Sequence, residues 1–210
     1  MIRAALPMLV LASDYRVENP ARVVSLLTGR KAALSEIGAH HVLVYASTRD
    51  PGRVLVLIWV RNHEPIVDLL RSRVFFDWFD LVGVSDIPGV FAGQMIQQID
   101  VIPSTVQRPP GVIVASMVRV ADVPEIVARI HDGLGRFGDA GLRKLWLYEA
   151  FDDPLELLFV QEIDSEDAAR RWIDHPDAVA DWMGNAGADA YPPLFVGQLL
   201  HSLQIDSEPR

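Results

Sequence analysis

Apolar residues along this chain follow two spacings, one of period two and one of period three to four, and the C-terminal half shows both most clearly. Residues 112–120 are rich in β-branched side chains, as a strand requires. Asp122-Val123-Pro124-Glu125 follows, where Asp122 can cap the orphan amides of a helix and Pro124 is tolerated in the first turn. Ile126, Ile130, Leu134 and Phe137 then recur every three or four residues, a helical stripe ending around 138–141. Two strands come next, 142–150 and 155–163, joined by the turn residues Phe151-Asp152-Asp153-Pro154. A second helix starts at Asp164 or Ser165, breaks at His175-Pro176 and resumes to about Asn185, and 194–203 makes a last strand. The N-terminal half reads in the same order, with strands at about 7–15, 40–47, 53–61 and 89–99 and helices at about 20–36 and 64–82.

The two halves are copies. Leu9-Val10-Leu11-Ala12-Ser13 recurs as Val112-Ile113-Val114-Ala115-Ser116, a shift of 103 residues. The same shift carries Val17 onto Val120, Val24 onto Val127, Gly38 onto Gly141, Tyr45 onto Tyr148 and Asp50-Pro51 onto Asp153-Pro154. Near the ends the shift becomes 104, taking Phe91-Ala92-Gly93-Gln94 onto Phe195-Val196-Gly197-Gln198. The expected organisation is one unit at 1–102, a Pro-rich linker at 103–110, a second unit at 111–205 and a disordered tail at 206–210. Each unit reads βαββαβ, a ferredoxin-like sandwich with both helices on one face of a four-stranded sheet. The fold class is therefore α+β: two tandem units expected to pack sheet to sheet as an intramolecular α/β barrel, monomeric or as a homodimer of such pseudo-dimers.

Composition narrows what such a protein can do. With 19 Lys plus Arg against 28 Asp plus Glu, the net charge is −9, so neither a nucleic acid nor an anionic membrane surface is an expected partner. There is no cysteine, which removes disulfides, thiolate nucleophiles and thiolate-bound metals. Residues 1–13 superficially imitate a secretory signal, but the repeat reads them as leading into the first strand; a cytoplasmic location is the expectation. Dinucleotide, P-loop, serine-hydrolase and HExxH zinc signatures are missing from the sequence, and no cofactor is expected.

The stretch Leu145-Trp146-Leu147-Tyr148, Asp152-Asp153-Pro154-Leu155-Glu156-Leu157, Glu162-Ile163-Asp164-Ser165-Glu166-Asp167-Ala168-Ala169, Asp181-Trp182-Met183 and Ala186-Gly187 resembles the antibiotic-biosynthesis-monooxygenase-like branch of the dimeric α/β-barrel superfamily. The likeness is good over about 111–203 and weaker over 8–100, where Asp50-Pro51-Gly52-Arg53 keeps only part of the turn. It implies the fold; the reactions within that branch range over cofactor-independent monooxygenation, haem degradation, lactone isomerisation and polyketide cyclisation. The proximal histidine and Asn/Trp set of the haem-degrading members find no residue-by-residue match.

Alternation along each strand then sorts side chains by face. In the second half Ile113, Ala115, Met117, Leu145, Leu147, Leu157, Phe159, Phe195 and Leu199 form an apolar set, expected under the helices. The other set places Ser116, Trp146, Tyr148, Glu156, Glu162, Gln198 and Ser202 among Val112, Val114, Leu158 and Val160, the mixture expected of a ligand chamber. One repeat earlier the equivalent residues are Ser13, Tyr45, Trp59, Arg61 and Gln94. Trp59 and Glu162 occupy equivalent positions with different chemistry. The resulting expectation is a small apolar metabolite, aromatic, polyketide-like or acyl, held between the sheets and transformed without metal or nucleotide. Glu162 and Tyr148 are the candidate catalytic residues; Ser13, Tyr45, Trp59, Gln94, Ser116, Trp146 and Gln198 are the candidate substrate-binding residues. His41 or His63 can serve as a general base. The alternatives are a non-catalytic ligand binder and a purely structural pseudo-dimer whose polar groups only satisfy one another. Phe75, Phe76, Trp78 and Phe79 crowd one helix, as core or as surplus for an oligomer contact.

Overall fold

The computed structural model describes residues 8–103, 109–174 and 194–205. Among these, eight strands and six helices occur: β1 Leu9–Arg16, α1 Pro20–Gly29, α2 Lys31–Glu36, β2 Ala39–Ser47, β3 Arg53–Val60, α3 Glu64–Arg71, α4 Arg73–Val82, β4 Gly89–Asp100, β5 Val112–Arg119, α5 Val123–Asp139, β6 Leu142–Ala150, β7 Glu156–Ile163, α6 Glu166–Asp174 and β8 Phe195–Gln204. The chain is an α+β protein of two ferredoxin-like units in tandem. The helix stretch expected after His175 lies outside the described residues.

Caps explain where the helices start. Asp122 Oδ1 accepts from the Glu125 amide at 2.8 Å, Asn19 Oδ1 from the Ala21 amide at 3.0 Å, and Ser165 Oγ from the Ala168 amide at 3.1 Å, each satisfying a donor of the first turn. In the N-terminal half, each stretch read as one helix is two. The first breaks at Arg30, just past Gly29. The second breaks at Ser72, whose backbone is extended and whose hydroxyl donates to the Leu69 carbonyl at 2.7 Å, closing the last turn of α3 from the side chain.

The chain divides into two compact units. One comprises the residues up to Gln94 together with those from Leu199 onward; the other runs from Met95 to Gln198. These spatial limits cut β4 and β8 in mid-strand, whereas the sequence repeat changes over in the linker. In the first unit β1 lies between β3 and β4, and β2 flanks β3, all antiparallel. The end of β8 joins here, its Ile205 amide donating to the His40 carbonyl at 3.0 Å. In the second unit β5 lies between β7 and β8, and β6 flanks β7. The chain just beyond β4 joins here, Val101 donating to the Arg143 carbonyl at 2.9 Å.

Each unit has a core between sheet and helices. In the second, Val114, Val118, Leu145, Leu147, Leu157, Phe159, Ile163 and Val196 pack with Ile126, Ile130 and Phe137 of α5 and with Ala168 and Ala169 of α6. In the first, Tyr15 meets Phe79 of α4 edge to face at 5.5 Å, and Phe79 meets Phe75 at 5.0 Å. Thus Phe75 and Phe79 belong to the core, while Phe76 stays 59% exposed.

Candidate functional site

Cross-strand partners share a face, so the registers fix which side chains stand together. In the second unit Glu162 lies opposite Ile113 and Lys144, Val160 opposite Ala115 and Trp146, and Leu158 opposite Met117 and Tyr148. This is the face away from α5 and α6. It carries Trp146, Tyr148 and Glu162, with Glu156 and Lys144, among Ile113, Ala115, Met117, Leu158 and Val160. Tyr148 is fully buried, while Trp146 and Glu162 are half-buried. Glu162 and Tyr148 are four strand positions apart, about 13 Å at the usual rise, with Trp146 between them. Lys144 makes an ion pair with Asp100 at 2.8 Å and holds its ammonium 5.6 Å from the Trp146 ring centroid.

In the first unit the corresponding face carries His41, Leu43 and Tyr45 of β2 opposite Trp59, Leu57 and Leu55 of β3, with Val10, Ala12 and Asp14 of β1 beyond. Tyr45 is fully buried and Trp59 half-buried. The His41 ring packs on Trp59 at 5.5 Å with a tilt of 37°, and its Nε2 lies 2.8 Å from Ser202 Oγ. Burial lowers the His41 pKa below its ordinary value; His40 is lowered too, by burial and then by the charges of Arg61 and His41. At the other end of the face Arg53 grips Asp14 with two hydrogen bonds of 2.9 and 2.6 Å.

Four expected residues stand elsewhere. Ser13 lies opposite Val56, two register positions from Tyr15 and so on its face, which touches α4; Ser116 lies opposite Phe159, in the core under α5 and α6. Gln94 pairs with Leu9 and Gln198 with Val112, on the same helix-bearing sides, and both glutamines are exposed. Conversely Ile113, Ala115, Met117 and Phe195 are on the helix-free face, where Val112 and Val114 were expected instead. Alternation within a strand fixes two sets, but the phase of one strand against its neighbour is set by register, which composition does not carry. For β5 and for the part of β8 that pairs with it, Phe195 to Gln198, that phase is inverted relative to the expectation.

The sequence alone pointed to His41 and Ser202 separately and missed that they meet. Their contact depends on β8 returning beside β2 and on a register irregularity between Ala39 and His41. Among the described residues there is no group of three or more His, Asp or Glu placed to hold a metal ion, and no helix is long and apolar enough to cross a membrane. His63 stands just before α3 and is exposed.

No family model matches the chain, and no curated protein matches it. Solved structures do. An anthrone oxidase-like protein superposes with a TM-score of 0.71 at 13% identity, covering 96% of this chain and 95% of that one. A ferredoxin-fold protein related to antibiotic biosynthesis monooxygenases, from Listeria monocytogenes, gives 0.55 at 12% identity over 93% and 96%. A heme-degrading enzyme from the same organism gives 0.50 at 13% over 90% and 98%. At these identities the likeness establishes the fold over nearly the whole chain. The protein therefore shares the ferredoxin-like fold of the antibiotic-biosynthesis-monooxygenase-related proteins, as the motifs of its C-terminal half implied.

Proposed function

We propose that the protein binds a small apolar metabolite with a planar ring system on the helix-free face of its second unit and transforms it by proton transfer between the bound molecule and side chains. In this reading Trp146 is the stacking platform, Glu162 the base at one end and Tyr148 the hydrogen-bonding group at the other. The observation that carries it is the company of Trp146, Tyr148 and Glu162 among Ile113, Ala115, Leu158 and Val160 on one face. A mostly apolar surface with a few polar groups is what orients a small ligand. The spacing of roughly 13 Å between Glu162 and Tyr148 suits a ligand of two or three fused rings rather than direct contact of the two side chains. Fold-mates named for oxidation of an anthrone and for monooxygenation favour an enzyme over a passive binder by analogy alone.

Native mass spectrometry of freshly purified protein, followed by tryptophan quenching with 1-naphthol as a planar probe, tests the reading. The expected results are a retained small molecule, saturable quenching that Trp146→Ala weakens at least tenfold, and a Glu162→Gln variant that keeps the co-purified molecule but no longer converts it. A chain that carries nothing and shows no saturable quenching overturns the proposal.

A further inference from the structure

The His41 and Ser202 pair lies in the first unit, apart from the residues of that proposed chemistry, and the repeat supplies a control for it. The position equivalent to His41 is Lys144, that equivalent to Ser202 is Gln98, and that equivalent to Trp59 is Glu162. Both units keep the register irregularity at this point, between Ala39 and His41 in one and between Leu142 and Lys144 in the other. The bulge is therefore part of the scaffold, and a hydroxyl against an imidazole is not needed to build it.

Three features of the pair are those of an activated nucleophile. The Ser202 oxygen and His41 Nε2 are in hydrogen-bond contact at 2.8 Å. Ser202 is exposed, so a substrate can reach its oxygen. Trp59 packs on the imidazole, which fixes the ring plane as a third group does in nucleophile and base pairs, and it offers an apolar surface next to the hydroxyl. The neighbouring imidazole that acts on it by charge is His40 on the same strand, a like charge that does not favour the imidazolium. Burial keeps the ring neutral near neutrality, and with its proton on Nδ1 the Nε2 accepts from the Ser202 hydroxyl.

We propose that Ser202 and His41 form an acyl-accepting dyad for activated esters whose apolar part rests on Trp59. Ser202 Oγ attacks the ester carbonyl carbon and its proton passes to His41 Nε2. The bond from that carbon to the leaving oxygen breaks, the departing alcohol or phenol takes the proton from His41, and the acyl group stays on Ser202. Water, deprotonated by the same nitrogen, then releases the carboxylic acid and regenerates the hydroxyl.

The probe is 4-nitrophenyl acetate with the full-length chain, read by nitrophenolate release and by peptide mass mapping. The expected result is a burst of about one nitrophenolate per chain, with an acetyl group on the peptide containing Ser202. Ser202→Ala removes that acetyl peptide, and His41→Gln slows its formation about 100-fold or more. Trp59→Phe, which keeps a ring against the imidazole, should retain the acetylation within about tenfold. Near-ultraviolet circular dichroism of each variant confirms the native packing. Acetylation confined to other residues, or a Ser202 adduct that forms equally fast in a folded His41→Gln, overturns the dyad. Either outcome leaves the Glu162 reading standing, because that reading is tested on a different unit and with a different probe.

Discussion

Laid on each other at the 103-residue shift, the two units agree in their backbone contacts and part company in the side chains on their helix-free faces. The Gly38 carbonyl accepts from the Arg61 amide at 3.1 Å, and the Gly141 carbonyl from Asp164 at 3.0 Å. Gly52 accepts from Val17 at 2.8 Å, and Leu155 accepts from Val120 at the same distance. Arg16 pairs with Asp50 at 2.5 Å, and its equivalent Arg119 pairs with Asp153. Against this constancy, His41, Trp59 and Ser202 face Lys144, Glu162 and Gln98, and the Asp14 to Arg53 pair faces Met117 and Glu156. What holds the strands in register is repeated, so what differs is free to carry the chemistry.

The largest test of the comparison lies in the helix-side cores. Phe159 is fully buried between β5, β6 and the helices of the second unit, and its equivalent in the first is the smaller buried Val56, opposite Ser13 on the face where Tyr15 meets Phe79 of α4. Phe159→Ala removes a ring and leaves a cavity, and is expected to cost about 3–5 kcal/mol. Val56→Ala removes two methyl groups and is expected to cost roughly 1–2 kcal/mol by the same per-carbon accounting. Urea unfolding of both variants measures this; equal losses would mean that the two cores are not filled by different residues as described.

The hairpins between the second and third strands of each unit give the next effect. Gly52 has φ of +82°, and a methyl group built there would come within 2.5 Å of the Val17 carbonyl oxygen. Leu155, making the equivalent hydrogen bond, has no such backbone, since no residue other than glycine has positive φ among those described. Gly52→Ala is therefore expected to cost roughly 1–3 kcal/mol through strain and the displaced strand end. Leu155→Ala should cost less, because its side chain is only half-buried. A drop in thermal midpoint for Gly52→Ala no larger than for Leu155→Ala would show that the two turns bear the same load.

How much of this was readable beforehand follows from which interactions are local. Strand and helix positions, the cap at Asp122 and the repeat of Gly38 as Gly141 depend on neighbours a few residues away, and the chain shows them directly. The break at Ser72 was hidden because a serine that closes a helix end looks like a serine within one. Face assignment held for β6 and β7, bringing Trp146, Tyr148 and Glu162 together, and failed for Ser13, Ser116, Gln94 and Gln198. Their phase depends on pairing with strands far away in sequence. The meeting of His41 with Ser202, 161 residues apart, is of the same kind.

The smallest effect concerns charge at the hairpin end of the two faces, where the units titrate in opposite senses. In the first, the hydrogen bonds from Arg16 hold the Asp50 carboxyl below its ordinary value, with Arg53 adding to the attraction. A lowered carboxyl contributes stability above the unfolded value near 3.8 and loses it as the pH falls through the folded one. In the second, burial raises Glu156, helped by Asp152 and Asp153 and opposed by Arg119. A raised carboxyl does the reverse: its stabilising contribution is complete below about 4.5 and disappears as the pH rises through its folded value. Glu156→Gln should therefore make the protein slightly more stable at neutral pH, by a few tenths of a kcal/mol, since the group is substantially exposed and screened. It should also flatten the stability profile just above pH 4.5, while Asp50→Asn lowers stability at neutral pH and leaves a smaller acid loss. Urea midpoints between pH 4 and 7 decide it; if Glu156→Gln steepened the fall in stability toward neutral pH, the two hairpins would titrate alike and the contrast between the units would end at their hydrogen bonds.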